Sequence, residues 1–194
     1  MLNRVITTAL GLVVIIIFAG AAYLEWADTA KVQELRDFAV GDMAGFEAVA
    51  EPSPLPPVRL TDPAGTPVML DDYEGKVLLI NLWATWCAPC RHEMPALDRL
   101  QEELGGEFFE VVIISLDKDG PELAEPFLKE IGIENLTSLY HPTGEVMAAW
   151  GITGLPTTLL VNADGRQLGR TVGPAVWDSR DGQRLMRKAV AVGR

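Results

Sequence analysis

Seven apolar or amide residues, Val77 to Trp83, run without a charge and end in the segment WATWCAPCRHEMP, residues 83–95. An uninterrupted apolar run of strand length is what a strand buried on both faces looks like. Beyond the cysteines, Met94, Leu97, Leu100 and Leu104 recur at helical spacing and stop at Gly105-Gly106. A doubly buried strand that turns directly into an amphipathic helix demands layers on both sides of a sheet. It also places Cys87 and Cys90 at the strand–helix junction.

The rest of the chain alternates in the same way. Residues 58–70, VRLTDPAGTPVML, read as a hairpin turned by Asp62-Pro63-Ala64-Gly65. FEVVIISLD, from Phe109, is a second buried strand. PELAEPFLKEIGI is helical, with Pro121 at its start and Pro126 a kink. EVMAAWGI is a short helix. TTLLVNADGRQLGRTVG is a hairpin turned at Ala163-Asp164-Gly165, and DSRDGQRLMRKAVAV is a closing helix capped by Asp178 or Ser179. Strands alternating with helices predict an α/β fold, a central mixed β-sheet flanked by helices.

The first 54 residues read differently. Val5 to Leu24 hold twenty positions without a charge, enough to cross a hydrocarbon core of about 30 Å as a helix. Arg4 precedes the run, while Glu25 and Asp28 follow it, so residues 1–4 are expected in the cytosol and the bulk of the chain outside. The alternative is a signal peptide cleaved near Ala19-Gly20-Ala21. Residues 25–54 read as a linker, weakly helical at first. They end in the proline-dense EPSPLPP, an extended polyproline spacer, and the compact domain is expected over 55–194. The net charge of −11 and pI near 4.6, with no basic stripe, exclude a phosphate backbone as partner.

Cys87 and Cys90 are the only cysteines in the chain. Two are too few for a disulfide-built scaffold. A helix N-terminus offers unpaired N–H groups and a positive dipole end, which stabilise a thiolate. Pro89 suits the first turn, and Arg91 adds positive charge one residue on. The pair reads as a reversible dithiol, Cys87 the exposed nucleophile and Cys90 the shielded resolving thiol. Other readings remain open. A structural disulfide would close a very small loop and stabilise little. Zinc wants about four ligands, and His92 and His141 are the only further soft candidates. Copper(I) could take both thiolates with His141. Downstream, GLPTT at residues 154–158 opens a strand with a proline, cis or trans.

The anchor-like run, the PVRL…DPAG hairpin, NLWATWCAPCRHEMPAL and GLPTTLLVNADG together resemble the TlpA/ResA/CcmG group of the thioredoxin superfamily, and the tail GPAVWDS is similar to the TlpA branch. The resemblance covers residues 55–194. It implies a thioredoxin-like fold with an N-terminal β-hairpin extension and a single transmembrane helix. It implies a periplasm-facing protein-disulfide reductase tied to the inner membrane, with no cofactor beyond the redox-active disulfide Cys87–Cys90 and no metal. Cys87 would attack a target disulfide and Cys90 would resolve the mixed disulfide. Pro156 would be a cis proline facing the pair, Leu155 would offer backbone groups to an extended client, and Trp83 and Trp86 would flank the site. Glu93 matches a glutamate that assists proton transfer in ResA-like members. A carboxylate in a first helical turn also simply complements the dipole. The implied partners are a membrane dithiol donor of the CcdA/DsbD kind and client proteins with oxidised cysteines. Those clients are a copper chaperone or oxidase copper subunit in cytochrome oxidase assembly, or apocytochrome c in the CcmG-like alternative. One departure stands out: thioredoxin has a buried aspartate six positions before its first cysteine, and this chain has Asn81, which cannot accept a proton.

Overall fold

The computed structural model describes residue 20 and residues 29–194. The apolar run 5–24 and its cleavage alternative lie outside the described residues, residue 20 apart. Among the described residues no helix is long and apolar enough to cross a membrane.

Among the described residues eight strands form one mixed sheet: β1 (Phe46–Pro54), β2 (Leu60–Thr61), β3 (Pro67–Val68), β4 (Val77–Trp83), β5 (Phe109–Ser115), β6 (Thr137–Tyr140), β7 (Thr157–Val161) and β8 (Arg166–Val172). Their spatial order is β1-β8-β7-β4-β5-β6-β2-β3. β4 runs parallel to β5, and β5 to β6, while β7 lies antiparallel to β4 and β8 antiparallel to β7. The helices are α1 (residues 29–36), α2 (Ala88–Leu104), α3 (Pro121–Glu130), α4 (Glu145–Ala149) and α5 (Arg180–Val192).

All seven residues of β4 are buried, as an uncharged run in the sheet centre requires. Its alternate residues serve two cores. Val77, Leu79 and Trp83 join α2, α3 and α5 on one face, while Leu78, Ile80 and Leu82 join Val146, Trp150 and Leu60 on the other. Asn81 points to the α2 face, where its amide meets Glu93 of that helix. The expected hairpin is β2–β3. Its turn closes through Gly65 N–H to the Asp62 carbonyl at 3.0 Å, and the Asp62 carboxylate accepts from the N–H groups of Ala64 and Thr66. Ser179, not Asp178, caps α5, accepting from Gly182 N–H at 3.1 Å. Asp178 pairs with Arg99 at 2.7 Å instead.

The structure corrects the reading of residues 25–54 as a linker. From residue 29 this segment is part of the folded body. Val32 and Leu35 of α1, Met43 in a 3-10 turn (Gly41–Met43) and Phe46 of β1 are all buried in the α2-side core. Lys188 of α5 pairs with Glu34 of α1, and Phe38 lies under the cationic ends of Arg184 and Lys188. β1 adds an antiparallel edge to β8, with a register shift between Ala48 and Ser53. Pro52 falls in that irregularity and Pro54 ends the strand. An edge strand tolerates both prolines because its outer N–H groups have no ladder partner. The proline cluster therefore marks an edge strand rather than a spacer; only residues 55–59 leave the sheet as extended chain.

Candidate active site

β4 delivers the chain to the site and Asp117 clamps it there. After Trp83 the backbone turns, with Cys87 N–H bonded to the Ala84 carbonyl at 3.1 Å. The buried Asp117 carboxylate accepts from Thr85 N–H at 2.9 Å, from the Thr85 hydroxyl at 2.8 Å and from the Ser115 hydroxyl at 2.9 Å. Asp117 follows β5, the parallel neighbour of β4, so two strand ends are tied together just before the cysteines. Sequence reasoning missed Asp117, whose partner lies 32 residues away.

Cys87 is the N-cap of α2, and its sulfur accepts the Cys90 N–H at 3.3 Å. The two cysteines form a disulfide, with Cα atoms 5.3 Å apart. Both cysteines are buried: Cys90 is fully so, and Cys87, 6 % exposed, shows only a sliver of surface. That sliver opens onto a largely apolar groove of about 590 Å³, walled by Trp86, Pro89, Leu116, Met147 and Leu155, with Lys118 its one charged residue. Trp86 is 71 % exposed, whereas Trp83 is buried against Phe127, ring centres 5.9 Å apart. The Leu155–Pro156 peptide is cis. Leu155 lines the groove and precedes the first β7 ladder pair, Thr157 with Val172, so it lies outside the sheet. The Arg91 guanidinium lies 5.9 Å above the Phe127 ring.

Glu93 sits three residues after Cys90, one helical turn further in on the same face. It is buried, and every contact of its carboxylate is a donor. Asn81 Nδ2 donates to Oε1 at 2.7 Å, while Ala175 N–H at 3.1 Å and Trp177 Nε1–H at 3.3 Å donate to Oε2. Burial pushes the carboxyl up to about 7, and the Ala175, Asn81 and Trp177 hydrogen bonds only partly oppose it. Ala175 and Trp177 belong to the GPAVWDS segment between β8 and α5; their distance in sequence from Glu93 hid this role. Trp177 is fully buried.

The histidines stand apart. His92 is exposed on α2. His141 is buried, its N–H bonded to the Ser115 carbonyl and its Nδ1 3.2 Å from the Thr143 hydroxyl. Among the described residues no group of three or more His, Cys, Asp or Glu side chains is placed to hold a metal ion.

A cysteine pair at the end of a central strand, one sulfur capping the helix that follows, and a cis proline at the groove wall, within a sheet flanked by helices, define a thioredoxin-like thiol–disulfide oxidoreductase. The chain belongs to the Redoxin family, whose model matches residues 50–183. Its relatives place it within the TlpA/ResA/CcmG group. It is similar to the thiol:disulfide interchange protein HelX of Rhodobacter capsulatus, 36 % identical over 139 residues, 70 % of this chain and 72 % of that one. The thiol:disulfide interchange protein CycY of Rhizobium leguminosarum is 33 % identical over 171 residues, 86 % of each chain. Among solved structures, a thioredoxin-family thiol:disulfide interchange protein from Chlorobium tepidum superposes with a TM-score of 0.60 at 28 % identity, covering 74 % of this chain and 99 % of that one.

Proposed function

We propose that this oxidoreductase works as a disulfide reductase tethered outside the cytosol by its N-terminal apolar run. The observation that carries the reading is the placement of two sulfurs and one buried carboxyl: Cys87 caps α2 at the groove, Cys90 lies buried behind it, and Glu93 follows Cys90 by one helical turn. Such a pair can take up a client disulfide at the groove and close behind it, with Glu93 as proton acceptor for the closing step. The direction of electron flow, toward the client, follows the likeness to the TlpA/ResA/CcmG group.

The steps follow from the geometry. The Cys87 thiolate, entering from the groove, attacks one sulfur of a client disulfide, and the other client sulfur leaves as thiolate. Cys90 then gives its proton to ionised Glu93 and attacks Cys87 Sγ. The Cys87–Cys90 bond forms, the client bond to Cys87 breaks, and the second client thiolate departs. The client gains two electrons and the protein ends oxidised. An external dithiol, a membrane donor of the CcdA/DsbD kind, restores it. Leu155 beside cis Pro156 offers backbone groups to an extended client segment. The client class supported by the GPAVWDS likeness is a protein of cytochrome oxidase copper-site assembly.

Cys90→Ser tests the reading. It should accumulate a mixed disulfide through Cys87, visible on a non-reducing gel and identifiable by mass spectrometry. A copper chaperone or oxidase copper subunit in that band supports the client named; apocytochrome c would replace it with the other client. No adduct at all would end the reductase reading.

A further inference from the structure

Asn81 Oδ1 is fully buried and has no hydrogen-bond partner, although Nδ2 of the same amide makes two hydrogen bonds, to Glu93 Oε1 at 2.7 Å and to Thr158 Oγ1 at 2.9 Å. A buried acceptor left empty in the centre of a sheet is costly and calls for a reason. The surroundings of Glu93 supply one. From β4 Asn81 faces its carboxyl, and from the segment before α5 Ala175 and Trp177 do. Thr158 of β7 stands behind Asn81. None of these is charged. On its own helix the neighbouring titratable pair is Cys87 and Cys90, bonded to each other.

The arrangement suits only an ionised Glu93. Indole N–H and backbone N–H groups donate and cannot accept. A protonated Glu93 has an O–H to place, and in this orientation Asn81 also turns N–H toward it. The one unfilled acceptor in the cluster is Asn81 Oδ1.

We propose that Asn81 is a positioning residue whose amide turns over with the protonation of Glu93: Nδ2 faces the carboxylate, and Oδ1 faces the carboxylic acid. In the second orientation Oδ1 accepts the Glu93 O–H and the Thr158 O–H, filling both its lone pairs. Thr158 serves either way, because a hydroxyl accepts from Nδ2 in one state and donates to Oδ1 in the other. No atom leaves and no bond other than hydrogen bonds changes; the proton moves with Glu93. An aspartate at position 81 would itself compete for the proton. Asparagine instead leaves one proton site in the cluster and offers it a matching partner in both states. This rests on the reading of Glu93 as the proton acceptor for Cys90.

The test is nuclear magnetic resonance on the full-length oxidised protein, isotope-labelled, in neutral detergent. It follows the Glu93 carboxyl carbon and the Asn81 side-chain amide from pH 5 to 9. No client or turnover is involved, so failure of the trapping experiment and failure here are separate results. The expected outcome is one shared midpoint, with the Asn81 amide protons losing their contacts to Thr158 as Glu93 gains its proton. Amide contacts to Thr158 unchanged through the Glu93 titration, or a Glu93 that does not titrate in this range, would overturn the proposal. Asn81→Leu removes both faces of the amide. It should raise the Glu93 midpoint by about one pH unit, the excess of the charge-assisted hydrogen bond lost by the carboxylate over the neutral one lost by the acid, and slow resolution of a mixed disulfide about tenfold at neutral pH. Asn81→Asp keeps the shape without the donor and should split the titration into two steps. Unchanged Glu93 midpoints in both variants would also overturn it.

Discussion

Replacing Glu93 by glutamine should flatten the pH dependence of stability. The fold raises the Glu93 carboxyl from an ordinary value of 4.5 to about 7, chiefly by burial. A carboxyl raised by folding holds its proton more tightly in the folded chain than in the unfolded one. Between these two values the folded state carries a proton that the unfolded state lacks, so stability falls as pH rises. The contribution is full below about 4.5, declines through the window and levels off above about 7. The full drop corresponds to ~3 kcal/mol. Glutamine keeps the shape and can still accept from Ala175 and Trp177, but it has no proton to lose. The assay is urea unfolding of the oxidised full-length protein in neutral detergent, followed by tryptophan fluorescence, at intervals from pH 4.5 to 8.5. Wild type minus Glu93→Gln should decrease by ~3 kcal/mol across that range, the steepest change lying between pH 5 and 7. Parallel curves would refute the reasoning, because they would mean that burial does not hold the Glu93 proton. The same variant should still form mixed disulfides through Cys87 but resolve them slowly, since Cys90 loses its proton acceptor.

Four further perturbations test packing and hydrogen bonds. Asp117→Ala strands Thr85 N–H and two hydroxyls before the cysteines; it should cost about 3 kcal/mol by urea unfolding and broaden the resonances of residues 84–87. Phe46→Ala should cost about 3 kcal/mol or more, and a chain cut to begin at Leu55 should lose its cooperative thermal transition, because α1 and β1 cover the α2-side core. In Gly169→Ala the new methyl would stand 2.3 Å from the Phe46 ring and 2.8 Å from the Glu47 carbonyl. It should cost about 2 kcal/mol and speed amide hydrogen exchange along β1 while leaving β4 protected.

What was legible in the chain was whatever local pattern alone decides. β4 announces itself because both its faces are buried, and α2 because its apolar residues recur at helical spacing. β6 did not. Two of its four residues, Thr137 and Ser138, are polar and half-buried, and parallel pairing with β5 is what extends them. β1 was hidden by Pro52 and Pro54, which signal a spacer by composition and are harmless at an edge beside an irregular register. In the site, Cys87, Cys90 and cis Pro156 carry local signals of helix start and strand start. Asp117, Ala175 and Trp177 carry none, because each acts on a residue more than thirty positions away. Asn81 was visible as a departure from thioredoxin. Its relation to Glu93 appears only when β4 and α2 are laid face to face.

On the proposed mechanism the two cysteines take different roles, and the difference lies in where α2 begins. Cys87 caps the helix, so its sulfur sits at the positive end of the dipole, takes one amide and touches the groove. Cys90 lies inside the first turn, fully buried, with Glu93 next on its face. On the proposed mechanism Cys87 meets the client disulfide at the groove, and the Cys90 proton passes to Glu93 on the buried side. Electron transfer and proton transfer would then fall on opposite sides of the disulfide. The segment holding the proton site, Ala175 to Trp177, belongs to neither the groove nor the disulfide loop. On the proposed reading, client contacts around Trp86 and Leu155 would therefore vary without disturbing the acid, and the acid would be tuned from the C-terminal side without altering which clients fit.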